Sequence, residues 1–291
     1  MKDYRGEGSV CGVIVTWNPG PDLIHNVRVL RQQADACVIV DNASSGASQS
    51  ILEELERQIP CTVIRNPENV GIAAALNAGF RVAIENGHEW LVSFDQDSTI
   101  TEEFIEALRD AARGSANTGL VCPIYLDRAT RRVIPMPKTH SGDLLTTMTS
   151  GCLCHRAIFQ AVGPFEEQLF IDSVDTEYSL RVRSMGLRLI QSERAVLLHS
   201  LGKLQVHRFL GRNLHTTNHS AARRYYITRN RLYVLRRYPR DLAWLCHDVR
   251  SLLEELLMVV LFERQRWPKL RMMARGAMDC MLGKWGRQIQ L

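Results

Sequence analysis

Apolar residues gather in short runs separated by stretches in which they recur every three or four positions, and this alternation holds through the first 125 residues. The runs at 9–17, 36–40, 61–64, 89–94 and 120–125 are rich in Val, Ile and Leu and too short for helices, so they predict buried strands. Between the first two, Leu23, Val27, Leu30 and Ala34 share one side of a helix that follows the turn Asn18-Pro19-Gly20, with Pro21 suited to its first position. A second helix is predicted over 48–58, with Ile51, Leu52 and Leu55 as its apolar side, and a third over 71–86, stopped by Gly87. A fourth is predicted over 101–113, with Glu102 and Glu103 in its first turn favouring the helix dipole. Strand and helix alternating at intervals of roughly 25–29 residues predict an α/β fold with a parallel sheet and helices on both faces. Ligands of such sheets gather at the carboxyl ends of the strands. Thr16, Asp41, Asn66 and Asp95 fall at those ends.

The pattern loosens over 126–200, where Pro135, Pro137, Gly142, Gly151 and Gly163 predict loops and short strands that complete a substrate cleft. From Ser220 it turns helical. Tyr225, Leu232 and Leu235 share one side of a basic helix that ends before Pro239. A further helix over 241–264 carries Leu242, Leu245, Val249, Leu252, Leu253, Leu256 and Val260 as its apolar stripe. The expected division is a catalytic domain over 1–218 and a basic helical extension over 219–291.

With 45% hydrophobic and 23% charged residues in 291, the chain is an ordinary folded protein of one large domain or two modest ones. Its net charge of +5 is spread unevenly. Between Glu193 and Asp241 there is no acid, while Arg194, Lys203, Arg208, Arg212, Arg223, Arg224, Arg229, Arg231, Arg236, Arg237 and Arg240 all fall there. Such a block faces an anion: phosphate, nucleic acid or a membrane surface, with a solvated helical face as the bland alternative. Nucleic acid is not expected, because no groove-reading motif or aromatic stacking platform accompanies the block. The eight cysteines lack zinc-finger spacing, and even Cys152-Leu153-Cys154-His155 has no matching second pair, so buried thiols are expected. Residues 1–9 are polar, without the apolar core of a secretory signal, which with the unpaired cysteines favours a reducing, cytoplasmic setting. The longest uncharged apolar run, 256–262, lies between Glu255 and Glu263 and falls far short of the ~20 residues a membrane span needs.

The chemistry centres on Asp95-Gln96-Asp97-Ser98, which closes the fourth predicted strand. Carboxylates at i and i+2 near a strand end project to one side and repel unless a cation sits between them. A hard divalent ion bridging to a diphosphate is the natural occupant, and a solvated turn with two unrelated acids is the alternative. No Gly-x-Gly-x-x-Gly or Gly-Lys-Ser/Thr loop follows the first strand, which argues against a dinucleotide oxidoreductase or an NTPase. Asp41 is placed either to accept hydrogen bonds from a nucleoside or to cap a turn. A second acidic cluster, Asp172, Asp175 and Glu177, supplies either a general base or helix-capping acids. His199 closes the apolar run 195–198 and is either a structural histidine or a metal ligand beside Asp95 or Asp97.

In chain order, Thr16-Trp17-Asn18, Val40-Asp41-Asn42, Asn66-x-x-Asn69-x-Gly71 leading to Asn77 and Gly79, Asp95-Gln96-Asp97, Thr149-Ser150-Gly151-Cys152, Gly163-x-Phe165-x-Glu167, the stretch 170–181 and His199 resemble the inverting GT-A glycosyltransferases of family 2. Arg223-Arg224-Tyr225-Tyr226 and Arg229-Asn230 resemble the bacterial L-rhamnosyltransferase branch, and the likeness spans about residues 9 to 240. It implies a GT-A, Rossmann-like, mostly parallel sheet. It also implies a nucleotide-sugar donor such as dTDP-L-rhamnose held by Thr16, Asn18, Asp41, Asn69, Gly71, Asn77, Asp95 and Asp97. The metal, Mg²⁺ or Mn²⁺, would be held by Asp95, Asp97 and His199. Asp175 would be the base with Glu177 beside it, and Gly151, Cys152 and Asp172 would meet the acceptor. That acceptor would be a glycolipid or polysaccharide intermediate of the lipopolysaccharide or rhamnolipid kind, at the inner face of a bacterial membrane. A sugar-phosphate nucleotidyltransferase and a non-catalytic, membrane-associated scaffold on a degenerate transferase fold are the rival expectations.

Overall fold

The computed structural model describes residues 8–199, 205–209 and 212–290, with the backbone alone at 205–209 and 212–215. The chain forms two compact units: Met1–Glu167 with Asp175–Ser200, and Gln168–Val174 with Leu201–Leu291. The second unit therefore begins ahead of the expected boundary at 218/219 and takes in a short segment from the middle of the chain.

In the first unit, β1 (Val10–Thr16), β2 (Ala36–Asp41), β3 (Thr62–Arg65) and β4 (Trp90–Asp95) alternate with α1 (Asp22–Arg31), α2 (Ala47–Gln58) and α3 (Ile72–Glu85), as the apolar pattern predicts. Then come β5 (Thr99–Ile100), α4 (Phe104–Arg113), β6 (Thr118–Asp127), β7 (Leu153–His155), α5 (Arg156–Val162), α6 (Val174–Ser184) and β8 (Arg188–His199). The eight strands lie in the order β3-β2-β1-β4-β7-β6-β8-β5. β1 to β4 are parallel, and so are β6 and β8, but β7 runs antiparallel to both neighbours and β5 antiparallel to β8. The sheet is thus mixed, and strands of two or three residues carry too little pattern to reveal their direction. Every residue of β1 is buried. The alanine-rich side of α3 serves the sheet: a Cβ at Gly79 would sit 2.3 Å from Val13 Cγ1, so the helix approaches β1 as closely as glycine allows.

Two local expectations shift, and one of two open readings is settled. Glu102 and Glu103 precede α4 instead of filling its first turn, since Glu103 takes a left-handed conformation (φ 55°), and Glu106 holds the acidic position within the helix. The middle of the chain is more regular than its prolines suggest, because β8 runs for 12 residues. A register break opposite Cys122 and Ile124 bulges the polar stretch around Ser192, whose Oγ accepts from the amides of Arg194 and Ala195, and this bulge hides the strand's alternation. The stretch beginning at Asp175 is helical, within α6.

The second unit holds the hairpin of β9 (Gln205–Phe209) and β10 (Arg212–Thr216) and the helices α7 (Ala221–Arg237), α8 (Leu242–Leu261) and α9 (Arg266–Met281). α7 does not bury Leu232 and Leu235 as its core side. It buries Arg224, Tyr225, Tyr226, Arg229, Asn230 and Val234. The Arg229 guanidinium lies 5.0 Å from the Tyr226 ring and 5.5 Å from Tyr225, and donates to the carbonyls of Gly286 (2.8 Å) and Leu169 (3.3 Å). Arg224 binds Glu255 and Glu263, Lys269 binds Glu263 at 2.8 Å, and Arg231 reaches Asp248 and Glu255. Much of the basic block therefore meets anions of its own chain. Lys203 lies outside the described residues, as do the side chains of Arg208 and Arg212. The apolar stripe of α8 is the second reversal. Leu242, Val249, Leu253 and Val260 are exposed, while Trp244 and Val259 are the buried residues of that helix. Among the described residues no helix is long and apolar enough to cross a membrane.

Candidate metal and donor site

Parallel pairing aligns the strand ends that the sequence singled out. Thr16 sits opposite Asp41, and Val15 opposite Asp95. Thr16 Oγ1 donates to Asp41 Oδ1 (3.0 Å), the Ser44 amide donates to Oδ2 (3.0 Å), and the Ser44 hydroxyl also binds Oδ1. A carboxylate has about four acceptor sites, so Asp41 is oriented with capacity left over. Asn18 closes the same corner: its amide donates to Ser44 Oγ (2.8 Å) and its Oδ1 accepts from the Ser45 amide (3.0 Å). Asn42 Nδ2 reaches the Gly71 carbonyl, and Asn69 Oδ1 accepts from the Gly71 amide (3.0 Å), which fixes the chain entering α3.

β4 ends at Asp95, and the chain turns so that the Ser98 amide donates to the Asp95 carbonyl (3.1 Å). Gln96 ties this turn to β1, its Oε1 accepting from the Trp17 amide at 2.8 Å. β5 then pairs with the end of β8, Thr99 opposite Leu198, so His199 arrives beside the acids. One ligand atom from each of Asp95, Asp97 and His199 lies within 4.8 Å of the others. His199 Nδ1 is buried without a hydrogen-bond partner and lies 3.9 Å from Asp95 Oδ2. Two carboxylates facing an orphaned buried imidazole nitrogen fit a hard divalent ion with one nitrogen and several oxygen ligands. These three residues could hold such an ion.

Ser150 supports the turn from below: its Oγ accepts from the Asp95 amide (3.1 Å) and pairs with Ser98 Oγ (2.8 Å). Gly151 and Cys152, expected at the acceptor, lie deeper. Gly151 has φ +78°, and a Cβ there would meet Pro123 at 2.8 Å and Phe104 at 3.2 Å. Cys152 is buried, with Sγ bound to the Met148 carbonyl (2.8 Å) and 3.3 Å from Cys122 Sγ. Gly151 is packed against Pro123 and Phe104, while Cys152 also lines the recess that holds Asp175. Asn77 is likewise taken up by the protein, since its amide exchanges hydrogen bonds with the Phe165 backbone and reaches Glu167 Oε1 (2.8 Å).

Asp175 lies in the first turn of α6 and lines a small, mostly apolar recess with Met148, Thr149, Cys152 and Tyr178. Glu177 is fully buried and forked against Arg181 (2.5 and 3.2 Å), and Arg181 also donates to the Pro164 carbonyl (2.7 Å). In the second unit, Asp172 pairs with Arg223 at 3.0 Å, and burial pushes its carboxyl above the usual range against the pull of Arg223. Phe170, Asp172 and Ser173 all take left-handed conformations, and Asn230 Nδ2 holds their turn by donating to the carbonyls of Leu169 and Ile171 (2.6 Å each) and Asp172 (3.1 Å).

Arg128 escaped the sequence reading. Its guanidinium donates to the Asp97 carbonyl and to Thr99 Oγ1 (2.6 Å each), and its amide donates to the His199 carbonyl. The one available signal was its position just past a strand end, beside Asp127.

The sequence model of Glycosyl transferase family 2 matches residues 11–171, more than half of the chain. The chain belongs to this family. It is a glycosyltransferase on a GT-A-like sheet followed by C-terminal helices. It is 32% identical over 245 residues to the dTDP-rhamnosyl transferase RfbF of Shigella flexneri, covering 79% of this chain and 80% of that one. It is 25% identical over 251 residues to the galactofuranosyltransferase GlfT1 of Mycobacterium tuberculosis, covering 78% and 82%. Among solved structures, the mannosyltransferase PcManGT from Pyrobaculum calidifontis, in complex with GDP-Man and Mn²⁺, superposes with a TM-score of 0.61 at 17% identity over 98% of this chain and 77% of that one. TarS of S. aureus in complex with UDP-GlcNAc gives 0.54 at 12% identity, over 94% and 73%. At such identities these two likenesses establish the fold alone.

Proposed function

We propose that this family 2 enzyme is an inverting rhamnosyltransferase that moves L-rhamnose from dTDP-L-rhamnose to a hydroxyl of a glycolipid or polysaccharide intermediate. It would work at the inner face of a bacterial membrane that it meets peripherally. The observation that carries the reading is the 32% identity to a dTDP-rhamnosyl transferase across four fifths of both chains, supported by the convergence of Asp95, Asp97 and His199. Asp41, braced by Thr16 and Ser44, accepts hydrogen bonds from the nucleoside of the donor. Asp95, Asp97 and His199 would hold Mg²⁺ or Mn²⁺, which when bound would offset the charge of the leaving diphosphate. Asp175 accepts the proton of the acceptor hydroxyl. The acceptor oxygen bonds to the anomeric carbon from the face opposite the diphosphate. The bond from that carbon to the phosphate oxygen breaks, and its electron pair leaves with dTDP. One displacement inverts the anomeric centre and needs no nucleophile from the protein.

A panel of nucleotide sugars, read by thermal stabilisation and by donor hydrolysis with Mn²⁺ and with chelator, tests this directly. dTDP-L-rhamnose is expected to stabilise the protein most, and chelator to abolish hydrolysis. Preference for another sugar, or turnover indifferent to chelator, would overturn the donor or the metal assignment.

A further inference from the structure

Helix α8 is turned inside out. Its charged side faces the protein: Asp248 and Glu255 meet Arg231 at 3.3 and 2.7 Å, and Glu255 also binds Arg224. Its apolar side faces outward. Leu242, Cys246, Val249, Leu253, Leu257 and Val260 follow one another at helical spacing, so they form one seam along the whole helix. All six are exposed, Leu242 by 67% and Leu253 by 62%, and no charged residue interrupts the seam. An amphipathic helix normally buries this side, so a seam this long marks a surface that meets something apolar.

Charge decides between the possible occupants. The helical unit carries 18 Lys and Arg against seven Asp and Glu, a net +11, whereas the sheet unit carries 18 against 24, a net −6. A second copy docked on the seam would bring two strongly positive units together. A bilayer with anionic headgroups satisfies both properties at once, taking the seam's apolar side chains into its outer hydrocarbon and attracting the unit's net positive charge to its phosphates. The far end of the seam has the residues such an interface favours. Arg266 donates to the Val260 carbonyl, and Trp267 beside it is 73% exposed. Arg250, Glu254 and the inward acids forbid a span, so the helix lies flat.

We propose that the outward seam of α8 is the membrane-docking face of this protein and that it takes anionic lipid. The assignment rests on the peripheral contact in the functional reading above and gives that contact a surface. Cys246 provides the probe, because it is the exposed cysteine of the seam, whereas Cys61 is half-buried and the other six are buried. A polarity-sensitive dye on Cys246 is expected to shift to the blue with vesicles of phosphatidylcholine and phosphatidylglycerol, and far less with phosphatidylcholine alone. The double variant Val249→Gln, Leu253→Gln is expected to lose at least about tenfold in vesicle affinity. Both positions are solvent-facing, so folding and lipid-free donor hydrolysis should stay unchanged. Equal binding to neutral vesicles would overturn the anionic assignment. Failure to bind either vesicle, or a doubled mass in light scattering with Cys246–Cys246 cross-linking in the absence of lipid, would overturn the docking face. The donor panel fails independently of this surface: intact vesicle binding with no response to dTDP-L-rhamnose removes the rhamnosyl reading alone.

Discussion

At the carboxyl ends of the sheet, two carboxylates and an imidazole converge on one point, and the arginine beside them, Arg128, gives its guanidinium to the Asp97 carbonyl and a threonine hydroxyl. In the helical unit the opposite holds. Arg224 and Lys269 are almost fully buried, and each meets a carboxylate at hydrogen-bond distance. The first arrangement gathers like charges that a cation would offset, whereas the second is neutralised from within. Ionisable residues gathered in one place thus do two kinds of work here. The difference between them is whether a cation of the protein's own chain meets the carboxylates or an added one could.

The largest expected effects lie on each side of that contrast. Replacing Asp175→Asn removes the proposed proton acceptor while keeping shape. Transfer should fall by about 10³–10⁴, within the usual worth of a general base, with donor affinity nearly unchanged. Steady-state rates together with calorimetric donor titration separate the two, and near-normal turnover would remove Asp175 from the mechanism. In the helical unit, Glu263→Ala leaves buried Lys269 without its carboxylate and buried Arg224 with Glu255 as its remaining acid. Such half-broken pairs destabilise by about 3–5 kcal/mol. Denaturant unfolding measures that loss, and a change under 1 kcal/mol would mean that water reaches both cations.

The contrast also explains what could be read in the chain. β1, β2 and β4 and the helices beside them were legible because these strands bury both faces and each helix one, so the spacing of Val, Ile and Leu reports the element directly; β3, at the sheet edge with none of its residues buried, was legible only from its short apolar pair Val63-Ile64. Asp95, Asp97 and His199 were legible as candidates because strand ends of a doubly covered sheet are where polar residues have little structural reason to be. Asn77, Gly151 and Cys152 were harder: a polar or small residue near a site looks the same whether it faces the ligand or braces the loop behind it. In the helical unit the pattern pointed the wrong way. Arg224 and Arg229 are in the core of α7, and Leu242, Leu253, Leu257 and Leu261 of α8 are exposed, because the groups that receive those arginines, Glu255, Glu263 and the carbonyls of Leu169 and Gly286, come from far along the chain.

Acid provides a smaller lever on the same unit. Burial, with Arg223 and Arg224 nearby, pushes His219 down from 6.5 to about 4. Between those values the unfolded chain binds a proton that the folded chain refuses, so stability falls as pH drops from 6.5 toward 4, by less than the full shift implies because solvent screens a half-buried site. Glu263 adds to this below its unfolded value of 4.5. Although burial alone would raise its carboxyl, the hydrogen bond from Lys269 and the Arg224 charge hold it lower, so its stabilisation is present above 4.5 and is lost as pH falls through the lowered value. Melting temperatures from pH 7 to 4 are expected to decline in the wild type. In His219→Gln the decline down to pH 4.5 should flatten, and an unchanged slope would assign it to another group.

The smallest effect tests how firmly the acids of the sheet unit are held. Ser150 Oγ is the shared partner of the Asp95 amide and the Ser98 hydroxyl, and it is buried, so Ser150→Ala leaves both without that contact. One neutral hydrogen bond is worth about 1 kcal/mol, which sets the stability loss. The catalytic consequence follows from geometry. The Asp95–Ser98 turn places both carboxylates, and a turn free to shift weakens their joint hold on a cation more than it alters Asp175, which belongs to a different element. The variant should therefore need more Mn²⁺ for half-maximal rate, by roughly the fivefold that 1 kcal/mol represents, while the rate at saturating metal stays near that of the wild type. A fall in the saturated rate without a change in metal requirement would mean that the loop through Ser150 positions the acceptor instead of the acids.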